Sequence, residues 1–317
     1  MSTMVDFDKL MAAMMDLYNA GNYAQAYDLL LREEGRFPEL TDELYYQKMC
    51  MVSRMNDIPQ ALQYFRDALA QGYWFAPRWL REDEDLKALQ GLPEFEEMVA
   101  ACQQKFAQAQ AAAKPEVTVL QPQEPSPATG YPLLIALHGN GANAPRTLNP
   151  HRGIASQGWL VAVLQSSQVA GPSSFVWDDY EKAQGEIQQH FTALEKDYAI
   201  DPQRIVVGGF SMGGGLATWL GLNGAIKARG FVALGPYLPD VDALLPFLDS
   251  AKSAGARSYI VVGEEDKICL DISHKVHDLL NDHSIPCELE LLPGLGHAYP
   301  NDYTKSLEKG LAFVLQE

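Results

Sequence analysis

The sequence predicts an α/β fold, with a doubly wound and mostly parallel sheet, preceded by an all-helical domain. Two observations predict it. Residues 6 to about 113 show helical periodicity with few prolines, whereas residues 115 to 317 alternate short β-branched runs with amphipathic segments. Because the chain changes only once, from a helical pattern to alternating strand and helix patterns, we expect two domains. The predicted boundaries are 1–113 for the helical domain, 114–131 for a linker and 132–317 for the α/β domain.

The helical domain contains an internal repeat. Ala-Gly-Asn-Tyr-Ala-Gln-Ala at residues 20–26 aligns with Met-Asn-Asp-Ile-Pro-Gln-Ala at residues 55–61, an offset of 35 residues. Over about residues 7–70 this resembles the helical hairpins of tetratricopeptide repeats, whose length is close to the offset. A third copy is lacking, and residues 71–113 are expected to form capping helices. A protein partner and self-association through this domain both stay open.

Residues 114–131 are rich in proline. Five prolines lie within or directly after this segment, at positions 115, 122, 125, 127 and 132. Proline has no backbone N–H and is therefore disfavoured in the middle of a sheet. Only Val117–Leu120 has a strand pattern, and we expect it to join the second domain as an edge strand.

Six short apolar runs are the predicted strands of the sheet. Most are continuous rather than alternating, as expected when helices cover both faces of a parallel sheet. Helical segments lie between them. The runs are Leu133–Leu137, Leu160–Leu164, Ile205–Gly209, Phe231–Leu234, Tyr259–Val262 and Cys287–Leu292.

The charge balance of the chain is strongly acidic. It has 41 Asp and Glu residues against 24 Lys and Arg residues, a formal net charge of -17. A surface of this sign repels phosphate backbones and anionic lipid headgroups. No apolar stretch reaches the roughly 18 residues that a membrane-spanning helix needs. We therefore expect neither nucleic acid nor a membrane as a partner.

The cysteines and the first residues bear on the cellular compartment. Four cysteines are scattered without metal-binding or redox spacing: Cys50, Cys102, Cys269 and Cys287. Such scatter suits a reducing compartment. The first ten residues include two aspartates and lack the basic start and apolar run of a secretory signal. The sequence therefore predicts reduced thiols, no bound metal and a cytoplasmic location.

A serine directly follows the third predicted strand. Gly209-Phe210-Ser211-Met212-Gly213 stands between that strand and a helix expected over Leu216–Asn223. Gly-x-Ser-x-Gly in this context is the sequence of a nucleophile elbow, in which the serine occupies a strained turn. Glycine is needed because flanking side chains would collide with the neighbouring strand and helix. Ser211 is the candidate nucleophile.

Further motifs accompany this serine. They are Leu137-His138-Gly139-Asn140-Gly141, Asp201-Pro202-Gln203-Arg204-Ile205, Gly263-Glu264-Glu265-Asp266 and Gly296-His297-Ala298. Over about residues 117–317 the chain resembles α/β-hydrolases of the carboxylesterase, acyl-protein-thioesterase and dienelactone-hydrolase type. The resemblance implies the α/β-hydrolase fold and a Ser-His-Asp triad. A serine esterase of this type needs no cofactor.

A serine hydroxyl needs a base to take its proton as it attacks a carbonyl. His297 lies in a glycine-rich loop after the last predicted strand, at the carboxyl edge of the sheet, and is the candidate base. The chain order Ser, Asp, His assigns the orienting acid to the region after Tyr259–Val262. Four acidic residues compete there: Glu264, Glu265, Asp266 and Asp271. The resemblance, through its Gly-x-x-Asp pattern, selects Asp266.

The negative charge of a tetrahedral intermediate needs preorganised N–H donors. Met212, the residue after the nucleophile, supplies one from a helix N-terminus. The resemblance implies that the backbone N–H of Asn140 is the second. His138 is expected to brace this loop, and it is also a candidate substrate contact.

The loop Gln165–Tyr180 is the predicted wall of the substrate pocket. It follows a strand and carries Phe175 and Trp177, which complete the set of candidate substrate contacts. These aromatic side chains either contact the acyl or aryl group of a substrate or only pack the loop, and the sequence favours neither.

Together these residues predict a serine hydrolase that cleaves small-molecule carboxylic or thio esters through an acyl-serine intermediate. Two alternatives stay open. The same triad cleaves amides, so the chain could be a peptidase with a helical accessory domain. It could also be an interaction protein with a vestigial hydrolase domain, although candidates for all three triad positions argue against this.

Overall fold

The computed structural model describes residues 3–316, and the side chains of all of these except residues 3–5 and 8. Met1 and Ser2, which belong to the segment predicted not to be a secretory signal, lie outside the described residues. By its internal packing the chain divides into two compact units. The first runs to Ala113 and also includes Val169–Ser174; the second comprises Lys114–Gln168 and the chain from Phe175 onward.

The first unit is helical. Its helices are α1 (Thr3–Asn19), α2 (Tyr23–Glu33), α3 (Thr41–Arg54), α4 (Ile58–Ala70), α5 (Pro77–Glu82) and α6 (Pro93–Ala112), with 3-10 turns at Glu34–Arg36, Pro38–Leu40 and Glu84–Leu89. Aromatic side chains form much of its core: Phe65, for example, is fully buried and lies 5.7 Å from Phe95, measured between ring centroids. This region is the predicted helical domain. Its tetratricopeptide character and its partners stay predictions.

The two aligned segments of this unit have the same backbone geometry. Both lie in turns between paired helices, α1 with α2 and α3 with α4. Gly21 and Asn56 occupy the same left-handed conformation, with φ of 73° and 63°. In each copy the next residue, Asn22 or Asp57, donates its N–H to the carbonyl five residues back at 2.9 Å. The sequence repeat is therefore also a structural repeat.

The second unit contains a seven-stranded sheet. Its strands are β1 (Glu116–Leu120), β2 (Tyr131–Leu137), β3 (Leu160–Gln165), β6 (Ile200–Phe210), β7 (Gly230–Leu234), β8 (Arg257–Gly263) and β9 (Cys287–Leu292), in the spatial order β1-β3-β2-β6-β7-β8-β9. The edge strand β1 is antiparallel to β3, and the other pairs are parallel. The predicted, mostly parallel sheet is confirmed.

Helices cover both faces of this sheet. They are α7 (Ala144–Ala155), α8 (Tyr180–Asp197), α9 (Met212–Asn223), α10 (Leu248–Ser253), α11 (Leu270–Asp282) and α12 (Tyr303–Leu315). The loop before α8 contains two two-residue strands, β4 (Gln168–Val169) and β5 (Phe175–Val176), and Val241–Phe247 is a 3-10 helix. Alternate residues of β2 belong to two separate cores, one shared with α8, α9 and α11 and the other with α7 and α12. The sheet is therefore doubly wound.

Strand β6 begins five residues earlier than predicted. β6 starts at Ile200 rather than at Ile205 and passes through a polar segment that lacks a strand pattern. Its first residue pairs with Tyr131, and the register shifts before Leu133 pairs with Ile205. The early start is therefore marked by the pairing of Ile200 with Tyr131, not by an apolar pattern in the residues that follow.

The carboxyl ends of the strands bring together the loops that carry the predicted site. Ser211 follows β6, Asp266 follows β8, and His297 follows β9, while the segment of Asn140 follows β2. Because parallel strands end at the same edge, these loops share one rim of the sheet. Among residues 3–316, none of the helices has the combination of length and apolar character that crossing a membrane requires.

Candidate active site

Ser211 occupies a sharp turn between β6 and α9. Its backbone has φ 54° and ψ -119°, a conformation that non-glycine residues rarely adopt. Three main-chain hydrogen bonds hold it there. Its N–H donates to the carbonyl of Leu234 at 3.0 Å, and its own carbonyl accepts the N–H groups of Gly215 and Tyr237, each at 2.9 Å. The surrounding backbone therefore maintains the strain.

The glycines around this turn leave no room for side chains. A Cβ atom on Gly209 would lie 2.4 Å from the carbonyl carbon of Gly213. One on Gly213 would lie 2.3 Å from the carbonyl oxygen of His138, and one on Gly215 would lie 2.0 Å from that of Tyr237. The strand, the turn and the helix therefore pack backbone against backbone.

This packing explains why α9 starts earlier than predicted. The helix begins at Met212 rather than at Leu216 and includes three consecutive glycines, which have low helix propensity. The close approach of neighbouring backbone requires glycine at these positions, so tertiary packing outweighs local propensity.

The structure brings Ser211, His297 and Asp266 into one hydrogen-bonded chain. Nε2 of His297 lies 2.9 Å from Oγ of Ser211, and Nδ1 of His297 lies 2.7 Å from Oδ2 of Asp266. Both ring nitrogens of the imidazole are thereby engaged. Of the acids that competed with Asp266, Glu264 and Glu265 are exposed in the same loop.

Asp266 is suited to orienting the imidazole. The residue is 2% exposed. Burial is the largest influence and raises the pKa of its carboxyl, but the hydrogen bond and charge of His297 and the N–H groups of Cys269 and Ile268 together lower it more. The pKa of Asp266 therefore lies below its ordinary value. An ionised carboxylate accepts the Nδ1–H of His297 and so leaves Nε2 free to accept a proton.

The two N–H groups predicted as donors lie on neighbouring segments. Met212 is the first residue of α9, so its N–H has no acceptor within the helix. Asn140 is exposed in the loop after β2. That loop touches the start of α9, since the carbonyl of His138 lies next to Gly213. If both N–H groups are to bind one developing oxyanion, these two segments must lie side by side next to Ser211.

Comparison with known proteins agrees with this geometry. Residues 176–315 match the phospholipase/carboxylesterase family, and residues 6–110 match the A/B hydrolase-like N-terminal domain family. The chain therefore combines an α/β-hydrolase fold with an N-terminal helical domain of the A/B hydrolase-like type.

Solved structures resemble this hydrolase in fold. An uncharacterized protein from Bacillus cereus is 24% identical with a TM-score of 0.56, and the match covers 96% of this chain and 97% of that one. Esterase PE8 is 17% identical with a TM-score of 0.53, and the match covers 64% of this chain and 99% of that one. The chain has no significant sequence match among curated proteins.

His138 is built into the hydrolase as a brace. Its side chain is 0% exposed, and burial lowers its pKa to about 4. Nδ1–H donates to the carbonyl of Gly139 at 2.8 Å, while Nε2 accepts the N–H of Ser166 at 3.3 Å. The ring stacks on Trp177 with centroids 4.6 Å apart. A substrate could touch this ring only after it became exposed.

The two aromatic residues of the predicted wall differ in exposure. Trp177 is 1% exposed: its indole N–H donates to the carbonyl of His138 at 2.9 Å, and its backbone N–H donates to Sδ of Met212 at 3.1 Å. Phe175 is partly exposed. Trp177 therefore packs the loop against the predicted donor segments, whereas Phe175 keeps part of its surface exposed.

A buried carboxylate that was not predicted holds the base of this loop. Glu186 on α8 is 8% exposed and accepts the backbone N–H of Ser167 at 3.2 Å as well as the Ser167 hydroxyl. Gln168 fixes the loop at a second point. Its side-chain N–H donates to the carbonyl of Asp179, and its side-chain oxygen accepts the N–H of Asp179. Polar residues placed directly after an apolar strand were the signal that could have indicated such a network.

Phe210, the variable residue of the serine motif, makes a contact that the sequence does not predict. Its ring stacks on the imidazole of His297, with centroids 4.8 Å apart and an angle of 29° between the planes. The ring of Tyr299 lies on Phe210 at 4.7 Å. Nothing in the local sequence indicated this stack.

Two groups of side chains among the described residues approach the spacing of metal ligands: Asp266, Cys269 and His297, and Cys50, Asp83 and Asp85. Burial raises the pKa of both thiols. Because the thiolate is the form of cysteine that binds a metal, both environments disfavour binding. In the first group, Asp266 and His297 already bond each other.

Proposed function

We propose that this α/β-hydrolase is a serine esterase that cleaves carboxylic or thio esters through an acyl-Ser211 intermediate. The observation that carries the proposal is the engagement of both nitrogens of His297, at 2.9 Å from Oγ of Ser211 and 2.7 Å from Oδ2 of Asp266. The match of residues 176–315 to the phospholipase/carboxylesterase family supports the same reaction class.

In the first half of the reaction the ester acylates Ser211. Nε2 of His297 takes the hydroxyl proton as Oγ attacks the carbonyl carbon. Asp266 keeps the ring in the tautomer with Nδ1–H and stabilises the imidazolium that forms. The N–H groups of Met212 and Asn140 bind the oxyanion. His297 then gives its proton to the departing alcohol or thiol.

In the second half water removes the acyl group. His297 takes a proton from water as the water oxygen attacks the acyl-Ser211 carbonyl, and it returns that proton to Oγ when the intermediate collapses. Each step uses side chains, backbone N–H groups and water, so we propose no cofactor and no metal. The net charge of -17 favours neutral or cationic esters over anionic ones.

The proposal is tested with p-nitrophenyl acetate and p-nitrophenyl butyrate, and with a fluorophosphonate probe followed by peptide mass spectrometry. We expect turnover of at least one ester and a single phosphonylated residue, Ser211. The Ser211→Ala variant, folded by circular dichroism, should lose both. Absence of labelling at Ser211 in folded wild-type protein would overturn the proposal.

The choice among ester, thioester and amide needs matched substrates. One acyl group carried on p-nitrophenol, on a thiol and on p-nitroaniline gives three values of kcat/KM that differ only in the leaving group. We expect the two esters to react and the anilide to be far slower. Comparable anilide turnover would favour the peptidase alternative.

A further inference from the structure

The two hydrogen bonds of His297 act at the edge of its ring. Nδ1 bonds Asp266 and Nε2 bonds Ser211. Because the N–H and the lone pair of an imidazole lie in the ring plane, such bonds restrain motion within that plane more than tilting out of it. A contact on the face of the ring adds a restraint against tilting.

Phe210 supplies that contact. The planes of the two rings are 29° apart and their centroids are 4.8 Å apart, so the phenyl ring lies over the face of the His297 imidazole. Phe210 directly precedes Ser211 and is the last residue of β6. The strand that carries the nucleophile thus also carries the group that lies against its base.

The phenyl ring is itself held in position. Tyr299 lies against it at 4.7 Å between centroids, and Tyr299 in turn contacts Tyr303 edge-on at 5.1 Å. Tyr303 is 4% exposed and belongs to α12. The stack on His297 therefore ends in the packed core rather than in solvent.

Phe210 also lies against the loop of the predicted oxyanion donor. A Cβ atom on Gly139 would lie 3.3 Å from Cδ1 of Phe210 and 3.7 Å from Cβ of Ser211. Gly139 immediately precedes Asn140. One aromatic ring thus lies against both the base and the loop that carries the second predicted N–H donor.

The aromatic character of this side chain has an electrostatic consequence. His297 becomes positively charged when it takes the serine proton, and the face of an aromatic ring attracts a cation. An aliphatic side chain of similar size fills the same space without this attraction. The effect acts on the transition state, because in the proposed mechanism this charge forms only as His297 takes the serine proton.

We propose that Phe210 is a positioning residue, whose ring holds the His297 imidazole in the plane that serves both Ser211 and Asp266 and stabilises the charge that forms there. This inference rests on the proposed esterase function. It assigns a role in catalysis to the residue between Gly209 and Ser211.

The test compares Phe210→Leu with Phe210→Tyr, using p-nitrophenyl acetate and the fluorophosphonate probe. Loss of a desolvated cation–π contact corresponds to about a 5- to 30-fold fall in rate. We expect Phe210→Leu to lower kcat and the rate of Ser211 labelling by that factor with KM within about threefold. Phe210→Tyr, which keeps the ring, should stay within about threefold of wild type in every parameter.

Phe191→Leu is the matched control. Phe191 is a partly buried phenylalanine on α8 that packs against one core of the sheet, whereas Phe210 packs against the other. It should leave kcat unchanged. Thermal unfolding of each variant checks that it is folded. If Phe210→Leu does not fold, Phe210→Met replaces it, since methionine fills a similar volume with a flexible side chain.

Several outcomes would overturn the inference. They are an unchanged kcat in Phe210→Leu, a change confined to KM, and equal losses in Phe210→Leu and Phe210→Tyr. A change in KM alone would make Phe210 a substrate contact. Failure of the esterase proposal has a different signature, because wild-type protein would then lack turnover and Ser211 labelling altogether.

Discussion

The backbone of Gly213 lies directly against the carbonyl of His138. A Cβ atom on Gly213 would be 2.3 Å from that oxygen and 2.5 Å from the carbonyl oxygen of Leu137. Both obstacles are backbone, which cannot turn aside as a flexible side chain can. The first turn of α9 and the end of β2 therefore keep their separation only while residue 213 is glycine.

We expect Gly213→Ala to damage both stability and activity. The added methyl group forces apart the segments that carry Met212 and Asn140, which costs about 1–3 kcal/mol of unfolding free energy. Displacement of the oxyanion donors should lower kcat by about 10²-fold or more. Urea unfolding and ester turnover measure the two effects.

Gly185→Ala is the control for this substitution. Gly185 lies within α8, and a Cβ atom there would meet nothing within 4 Å. Alanine favours a helix over glycine by about 1 kcal/mol, so this variant should be slightly more stable with unchanged turnover. Equal behaviour of the two alanine variants would contradict the close approach at Gly213.

The low pKa of Asp266 leads to a prediction for its amide variant. Asp266→Asn keeps the shape but cannot accept the Nδ1–H of His297 as a carboxylate does, so the imidazole adopts the wrong tautomer. We expect kcat to fall on the order of 10⁴-fold with little change in KM. Glu265→Gln, an exposed neighbour in the same loop, should behave as wild type. A similar kcat in both variants would remove Asp266 from the mechanism.

Two buried histidines predict a loss of stability in mild acid. His138 and His151 are both 0% exposed, and burial lowers the pKa of each from 6.5 to about 4. Between these values the unfolded chain binds more protons than the folded chain, so stability rises with pH. Each histidine therefore lowers the free energy of unfolding as the pH falls from 6.5 towards 4. The total loss per histidine is on the order of 3 kcal/mol once the pH is below both pKa values.

His151→Gln tests this linkage. Glutamine cannot gain a proton, so the unfolding free energy of this variant should fall less steeply than that of wild type between pH 6.5 and 4. The difference between the two slopes should be about 1 kcal/mol per pH unit. Urea denaturation at several pH values supplies the slopes. His283→Gln, at an exposed position, should keep the wild-type slope. Parallel curves for wild type and His151→Gln would show that His151 is not the acid-sensitive group.

Much of the sheet could be predicted, because strands that are buried on both faces form continuous apolar runs. The predicted run Leu160–Leu164, for example, lies within strand β3, all of whose residues are buried. The polar start of β6 at Ile200 and the glycine-rich start of α9 at Met212 could not be predicted. Both depend on neighbouring backbone, which pairs with the strand and requires the glycines, and neither leaves a periodic pattern in the sequence.

The residues of the candidate site could likewise be predicted only in part. Ser211 and His297 stand in local motifs, so the residues themselves indicated them, whereas the choice of Asp266 among several acids needed a family resemblance. The stack of Phe210 on His297 and the bond of Glu186 to Ser167 join residues from distant parts of the chain. Contacts of this kind arise from the folded arrangement and have no spacing that a sequence could reveal.

The repeat in the helical unit leads to a prediction about its turns. Gly21 and Asn56 share a left-handed backbone, and a Cβ atom on Gly21 would meet nothing within 4 Å. Any effect of a side chain there is therefore conformational. Gly21→Ala should destabilise the protein by about 1–2 kcal/mol, the penalty of the left-handed region for most residues.

Gly21→Asn should be tolerated better than Gly21→Ala, because asparagine occupies the equivalent position of the second copy and adopts this conformation more readily. Gly35→Ala is the control, since a Cβ atom at Gly35 is also unobstructed and its φ is not left-handed. Urea denaturation followed by far-ultraviolet circular dichroism compares the three variants. If Gly21→Asn destabilised as much as Gly21→Ala, the two turns would not be energetically equivalent. The two copies would then share a backbone conformation but differ in which residues that position tolerates.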